Sequence, residues 1–97
     1  MKPVSIHPQA EAEAAEAFDW YWAQSPSAAL RLNVELASKL RSLPHSSNLS
    51  LPYVYGTRRV LLHRFPYFIV FRELLHETQI IAIAHAKRRP GYWTARL

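Results

Sequence analysis

Three short runs of β-branched and aromatic residues fill most of the last third of the chain, and they constrain the fold more than any other feature. The first run lies within residues 58–64, the second starts at Tyr67, and the third covers residues 79–85. Pro66 fits a tight reversal between the first two runs, because proline cannot donate a ladder hydrogen bond. A charged turn at residues 74–78 precedes the third. Strands joined by connections this short form an antiparallel meander.

The third run is the most apolar one. Residues 80–84 read Ile-Ile-Ala-Ile-Ala, which is typical of a buried central strand. We therefore expect the core to include Phe68, Val70, Ile81 and Ile83 of the strands, and Leu36 and Leu40 of a preceding helix.

The first half of the chain predicts an edge strand followed by two helices. Val4-Ser5-Ile6 is short and alternating, and Pro8 suits the first turn of a helix. Ser25 and Pro26 together indicate that one helix ends and another begins. The apolar positions at helical spacing are Ala10, Ala14, Ala17, Phe18 and Tyr21 in the first helix, and Leu32, Leu36, Leu40 and Leu43 in the second, which should end at Pro44.

Leu30, Val34 and Ala37 widen the apolar stripe of the second helix into an arc that needs two neighbours, the first helix and a sheet. Residues 44–57 lack any period and are expected to form a loop lying over the core. The pattern as a whole predicts an α+β fold in one domain, residues 1–97. Its element order is β-α-α-β-β-β, with an antiparallel twisted sheet and a helical hairpin packed on one face.

Composition excludes several classes of protein. The chain has 97 residues, enough for one core, and contains no cysteine, so a disulfide framework and thiolate metal sites are ruled out. No apolar run approaches the ~18 residues needed to span a bilayer, and the N-terminus lacks a signal-peptide pattern. We expect a cytoplasmic protein that needs no membrane, cofactor or metal.

The net charge of +5 is unevenly distributed. Residues 1–57 carry four Lys/Arg against five Asp/Glu, whereas residues 58–97 carry eight against two. Such asymmetry predicts a positive surface on the sheet and tail that would speed encounters with polyanions.

The positive charge culminates in the segment from His85 to Trp93, where Lys87, Arg88 and Arg89 precede Pro90-Gly91 and two aromatic residues. Cations interleaved with aromatics suit phosphate contact with base stacking, or the acidic surface of a partner protein. The simpler alternative is a basic tail that caps a sheet edge and keeps a small protein in solution. On composition alone the simpler alternative is favoured.

No established catalytic motif is present among these residues. His63 and His85 lie on strands that could be neighbours, and on a common face they would join Arg58, Arg59, Arg64 and Lys87 in one basic cleft. Such a cleft could cleave RNA, with histidine as acid or base and arginine stabilising the charge that develops on phosphorus. The signal is weak, because no carboxylate base accompanies it.

The order of elements and several short motifs resemble the RelE/ParE toxin superfamily of bacterial toxin–antitoxin systems. The matching segments are Arg64-Phe-Pro-Tyr67, Phe71-Arg72, His85 and the stretch from Arg88 to Trp93, with His7-Pro8-Gln-Ala10-Glu11 and Phe18-Asp-Trp-Tyr21 resembling the first helix. The resemblance implies the same β-α-α-β-β-β fold, a cognate antitoxin and a possible hetero-oligomer with it.

The resemblance also implies one of two targets. RelE-like members are ribosome-dependent endonucleases that cut mRNA, whereas ParE-like members poison DNA gyrase without known hydrolytic chemistry. A tail that runs through Pro90-Gly91 into Trp93, and a second strand without the usual lysine pair, favour the ParE-like side. Whether the chain is an enzyme stays open, leaning towards not. The third hypothesis is a non-toxic homologue that only binds an antitoxin.

The resemblance assigns provisional roles to individual residues. Trp20 and Trp22, on the flanks of the first helix, are the candidates for antitoxin binding. The nuclease candidates are Arg64, His85, Lys87, Arg89 and Tyr92. The candidates for target binding are Arg58, Arg59, Arg64, Lys87, Arg88, Arg89, Tyr92 and Trp93.

Overall fold

A computed structural model describes residues 2–43 and 50–97 of the chain. Its helices are α1 (Pro8–Gln24) and α2 (Pro26–Ser42). Its strands are β1 (Val4–Ile6), β2 (Leu51–Pro52), β3 (Arg58–Leu61), β4 (Tyr67–Glu73) and β5 (Thr78–His85). Short 3₁₀ turns lie at Val54–Gly56 and Thr94–Arg96.

The five strands form one sheet in the order β1-β5-β4-β3-β2. Strands β3, β4 and β5 are the antiparallel meander that the sequence predicts, and the helical hairpin packs on the sheet, so the predicted α+β fold is confirmed. Strand β1 pairs parallel to β5, from Val4 opposite Thr78 to Ile6 opposite Ile80, which makes the sheet mixed. Strand β2 lies in a segment that the sequence predicts as loop, and that prediction is wrong for Leu51 and Pro52.

Ser25 sets the break between the two helices. Its N–H donates to the carbonyl of Tyr21 at 2.7 Å, and its hydroxyl accepts from the N–H of Ala28 at 3.4 Å. One residue therefore closes α1 and caps α2, as the Ser-Pro pair predicts. The start of α1 is capped by His7, whose Nδ1 accepts from the N–H of Gln9 at 3.1 Å. The predicted stop at Pro44 and the apolar Leu49 lie outside the described residues.

A β-bulge in β5 decides which apolar side chains face the helices. Val70 pairs with Ala82 and Phe71 with Ile80, so Ile81 has no partner of its own in β4. Ile80 and Ile83, three residues apart, consequently both join the core beneath the helices. The opposite face of the sheet carries a second apolar cluster, formed by Phe68, Val70, Ile81, Ala82, Ala84 and Trp93.

The predicted core residues are buried, except that Leu40 is only half-buried at the edge of the cluster. The prediction that two neighbours cover the whole arc of α2 is wrong. Leu32 and Leu36 are buried, but Leu30 and Val34 are 55% and 68% exposed. It is α1 that lies against β5, so this outer flank of α2 is left facing solvent. No helix in the described ranges is long and apolar enough to cross a membrane.

Replacing Leu32 with alanine should lower the free energy of unfolding by about 2–5 kcal/mol, because it removes a fully buried side chain from the core. The same substitution at Leu30, on the exposed flank of α2, should change it by less than about 0.5 kcal/mol. Urea denaturation of both variants tests the assignment. Equal losses would show that the face of α2 is misassigned.

Candidate functional site

The carboxylate of Glu13, on α1, accepts hydrogen bonds from two distant parts of the chain. The hydroxyl of Tyr92 donates to Oε2 at 2.6 Å, and the guanidinium of Arg96 donates to both oxygens at 2.9 and 3.0 Å. The backbone N–H of Ile83 donates to Oε1 at 3.0 Å. The guanidinium of Arg88 approaches Oε2 at 3.5 Å. We call Glu13, Arg88, Tyr92 and Arg96 the Glu13 cluster.

The Glu13 cluster forms where β5 loses its outer neighbour. Strand β1 pairs with β5 only as far as Ile80. Beyond that point, Ile83 donates its N–H to Glu13, and Arg96 donates to the carbonyl of Ile81 at 3.1 Å. Side chains therefore satisfy the strand edge that another strand would otherwise pair with.

The C-terminal tail, residues 86–97, reaches Glu13 by crossing this edge of the sheet. Gly91 has φ of 86°, and a Cβ there would lie 2.9 Å from Cε2 of Tyr55, so both backbone conformation and space require glycine. Trp93 is buried on the face of the sheet opposite the helices, with its ring next to Tyr53. The ring of Tyr92 packs against the same cluster as Trp93, while its hydroxyl and the guanidinium of Arg96 reach Glu13 of α1. The tail thus packs on the face opposite the helices and contacts α1 past the edge of β5.

In the Glu13 cluster, the negative charge of the carboxylate is buried together with the positive charge of Arg96. The side chains of Glu13 and Arg96 are only 11% and 10% exposed. Burial would raise the pKa of Glu13, but the hydrogen bonds from Arg96, Tyr92 and Ile83 and the charge of Arg96 outweigh burial and lower it. The pKa of Tyr92 is raised well above that of an ordinary tyrosine by burial and by its hydrogen bond to Glu13. Tyr92 is therefore held protonated as a donor.

The basic residues of the tail differ in their surroundings. Arg88 stacks its guanidinium over the ring of Tyr92, 3.7 Å from the centroid. Lys87 and Arg89 are exposed, and their side chains make no hydrogen bond or ion pair within residues 2–43 and 50–97. These two cations are available to a partner. Trp93 lies in the core, so it leaves the set of surface residues that could bind a target.

The predicted cleft containing both histidines is not formed. His63 lies 3.0 Å from the amine of Lys39 and lines a groove beside α2. The ring of His85 packs edge-on against Tyr67, at 5.0 Å between centroids, in a separate cavity with Arg88. His85 also accepts, through Nδ1, the N–H of Lys87 at 3.0 Å.

The arginines of β3 and the following turn are also spread out. Arg58 donates to the hydroxyl and carbonyl of Ser50, at 2.5 and 2.9 Å, and so braces the start of β2. Arg59 lies over the rings of Tyr53 and Phe68, at 4.5 and 5.2 Å. Arg64 lies in the groove that also holds His63. Among the described residues, no group of His, Asp or Glu side chains could hold a metal ion.

The helical hairpin carries the exposed apolar surface. Trp20 and Trp22, the candidates for antitoxin binding, are 59% and 49% exposed. A groove of about 490 Å³ runs along the outer flank of α2. Its floor is apolar and its rim is mostly basic: Leu30, Val34 and Phe65 supply the floor, and Arg31, Lys39, His63 and Arg64 the rim.

The acidic residue Glu35, in the same groove, accepts the N–H groups of His63 and Arg64 at 2.5 and 3.5 Å. It therefore holds the turn between β3 and β4 against α2. Its carboxylate keeps its negative charge, but Arg31, Lys39 and Arg64 outnumber it, so the lining of the groove is positive overall.

Sequence reasoning missed Glu13 and Arg96, the two residues at the centre of the tail's anchorage. Glu13 follows the pattern of any acidic residue near a helix N-terminus, and Arg96 lies 83 positions away. No local spacing signals a pair so far apart. Only the excess of acids in α1 and of bases in the tail hints at an attraction between them.

The described residues thus carry an exposed basic tail and an apolar groove beside α2. A family profile described as "ParE toxin of type II toxin-antitoxin system, parDE" matches residues 4–90. The chain belongs to this family of toxins.

A comparison with solved structures shows a similar fold. The chain is similar to a solved structure titled "Chromosomal ParDE TA system from P. aeruginosa", with a TM-score of 0.78 and 24% sequence identity. The match covers 90% of this chain and 98% of that one. No curated protein matches the chain by sequence.

Replacing Glu13 with glutamine should lower the free energy of unfolding near neutral pH by about 2–4 kcal/mol, because Arg96 loses its charged partner. A lowered folded-state pKa means that this stabilisation is complete above the ordinary glutamate value of about 4.3 and is lost as pH falls through the lower value. The difference between the two proteins should therefore shrink at acid pH. Urea denaturation from pH 6 to pH 3 measures it, and a constant difference would contradict the assignment.

Proposed function

We propose that the chain is the toxin of a ParDE-type pair, that it arrests growth by poisoning DNA gyrase in the cytoplasm, and that a cognate antitoxin neutralises it. In this proposal residues 1–97 act as one domain with two surfaces. The basic tail contacts gyrase, and the helical hairpin receives the antitoxin. Membership of the ParE family supports the class of target.

The observation that carries the proposal is the state of Tyr92. Its hydroxyl donates to Glu13, and its pKa is raised, so it is a poor general acid or base near neutral pH. Two other nuclease candidates lie apart: Arg64 lines the groove beside α2, and His85 lines a separate cavity. Arg64 and His85 are therefore not placed around one phosphate, as a shared role in nuclease chemistry would require.

The exposed cations of the tail suit a contact that depends on charge. Lys87 and Arg89 are exposed, and neither side chain pairs with an acid in the described part of the chain. An approaching anionic surface would meet both without having to break an internal contact. Gyrase bound to DNA offers such a surface in acidic side chains or in phosphates.

The tail can be tested by reversing charge at Lys87 and Arg89. Lys87→Glu with Arg89→Glu should reduce growth arrest and gyrase-mediated DNA breaks by at least about ten-fold, because attraction becomes repulsion. Arg41→Glu, an exposed cation near the end of α2, is the matched control and should behave like wild type. The measurements are growth after induction, gyrase cleavage of plasmid DNA and cleavage of ribosome-bound mRNA, run in parallel.

Two outcomes would overturn the gyrase assignment. Specific mRNA cuts that disappear in His85→Gln or Tyr92→Phe would establish a nuclease. Silence of the folded wild-type protein in all three assays would leave a homologue that only binds an antitoxin. DNA breaks that persist in His85→Gln support the proposal, because poisoning requires no proton transfer from that residue.

The antitoxin should approach the hairpin with acidic and apolar side chains. The groove beside α2 has an apolar floor and a basic rim, and exposed Trp20 and Trp22 extend the apolar area along α1. A monomer that exposes so much apolar surface commonly uses it for binding. The partner is expected to be an acidic protein encoded beside this one.

Replacing Leu30 with arginine should weaken antitoxin binding by at least about ten-fold, because a charge would enter the apolar floor of the groove. Leu75→Arg is the matched control, since Leu75 is 84% exposed in the turn between β4 and β5. Calorimetry gives the affinities, and stopped-flow mixing should show association slowing as salt rises. Equal affinities for the two variants would exclude the groove.

A further inference from the structure

We infer that Glu13 is a positioning residue, which holds the basic tail in the conformation that engages the target. The inference rests on the proposed function in naming gyrase as that target. Glu13 itself is too buried to touch a partner. It acts through the residues bound to it. Because Glu13 lies far from the tail in sequence, it can order the tail only when the chain is folded.

The tail contains few other contacts that could order it. Apart from the N–H of Ala86, which donates to the carbonyl of Pro66 at 2.8 Å, its backbone hydrogen bonds are short-range turns, such as Thr94 to Gly91 at 3.0 Å and Arg96 to Trp93 at 2.9 Å. Such turns are not stable on their own in water. The contacts of Glu13 with Arg88, Tyr92 and Arg96 attach the tail to α1. The tail is also attached by the apolar packing of Trp93 and by Arg72 of β4, which donates to the carbonyl of Leu97 at 3.1 Å.

The attachment through Glu13 determines where the exposed cations point. Arg88 is held between the carboxylate of Glu13 and the ring of Tyr92. Tyr92 is in turn fixed by Glu13 at 2.6 Å. Lys87 and Arg89 flank Arg88 directly, so the backbone that carries them is fixed from both sides. Without the carboxylate, Arg88 and Arg96 would repel each other and Tyr92 would lose its acceptor.

The structure also distinguishes a residue that positions the tail from a residue that supports the whole fold. Strands β4 and β5 pair along seven positions, and their core side chains pack beneath both helices independently of Arg96. Loss of the Glu13 pair should therefore release the tail first and leave the central sheet closed. Local opening of this kind is measured by amide hydrogen exchange.

The test uses the full-length variants Glu13→Gln and Arg96→Gln, with Glu11→Gln as the matched control. Glu11 is an exposed acid in the first turn of the same helix and makes no contact with the tail. Amides of Thr94, Arg96 and Leu97 should exchange at least about ten-fold faster in both cluster variants. Those of Phe68 and Val70 should remain the better protected, because only global unfolding exposes them. Both variants should lose at least about ten-fold in growth arrest and gyrase poisoning while keeping wild-type affinity for the antitoxin.

A double variant that combines Glu13→Gln with Arg96→Gln shows whether the two residues act as one pair or contribute separately. If Glu13 acts through Arg96, the double variant should be no worse than either single variant. Tail amides that stay protected in Glu13→Gln would overturn the inference, and so would a released tail with undiminished growth arrest. Tail amides that exchange no faster than those of Phe68 and Val70 in Glu13→Gln would reduce Glu13 to a residue that supports the whole fold.

Failure of the gyrase proposal would give a different experimental result from failure of this inference about Glu13. A wild-type protein that arrests growth without DNA breaks would remove gyrase as the target. The comparison of growth arrest between wild type, Glu13→Gln and Glu11→Gln would still decide the role of Glu13. A folded wild-type protein without any growth arrest would overturn both.

Discussion

The buried carboxylate of Glu13 is the interaction on which the arrangement of this protein most depends. A carboxylate that is mostly removed from water is tolerated only when hydrogen bonds and opposite charge replace its hydration. Here Arg96, Tyr92 and the N–H of Ile83 supply them, at 2.6–3.0 Å. One side chain therefore joins the first helix, the unpaired edge of β5 and the end of the chain.

This single set of contacts also determines what the tail presents to solvent. The hydrogen bond that orders Tyr92 keeps its proton in place, and the approach of Arg88 to Glu13 reduces the positive charge available there. What the tail presents to solvent is the unpaired charge of Lys87 and Arg89 on an ordered backbone. Such a surface can recognise an anionic partner, and its use against gyrase is the proposal made above.

Much of the fold could be predicted because its signals are local. The alternation of residues 58–85, the turn at Pro66 and the Ser25-Pro26 pair each act within a few residues, and the elements they predict are present. Contacts between distant positions could not be predicted in the same way. The parallel pairing of Val4 with Thr78, the bulge at Ile81 and the pair of Glu13 with Arg96 depend on tertiary packing.

The candidate site was correspondingly harder to predict. The basic tail was recognisable from its composition. Trp20 and Trp22 were candidates for antitoxin binding from their place on the flanks of the first helix, but only the structure shows that both are exposed. Trp93 was misread as a surface residue, because an aromatic residue beside cations looks the same in sequence whether it lies in solvent or in a core. Leu30 and Val34 were predicted to be covered by neighbouring elements, but they face solvent. Helical periodicity does not show how far the neighbouring elements extend over a helix.

The most direct test of the account is an NMR titration of the Glu13 side-chain carboxyl carbon in the wild-type protein and in Arg96→Gln. The account predicts that the pKa of Glu13 lies below the ordinary glutamate value in the wild-type protein, and that it rises in Arg96→Gln, since burial would then be opposed by fewer partners. An ordinary pKa for Glu13, or a pKa that does not change when Arg96 is lost, would show that the tail is not held by this carboxylate.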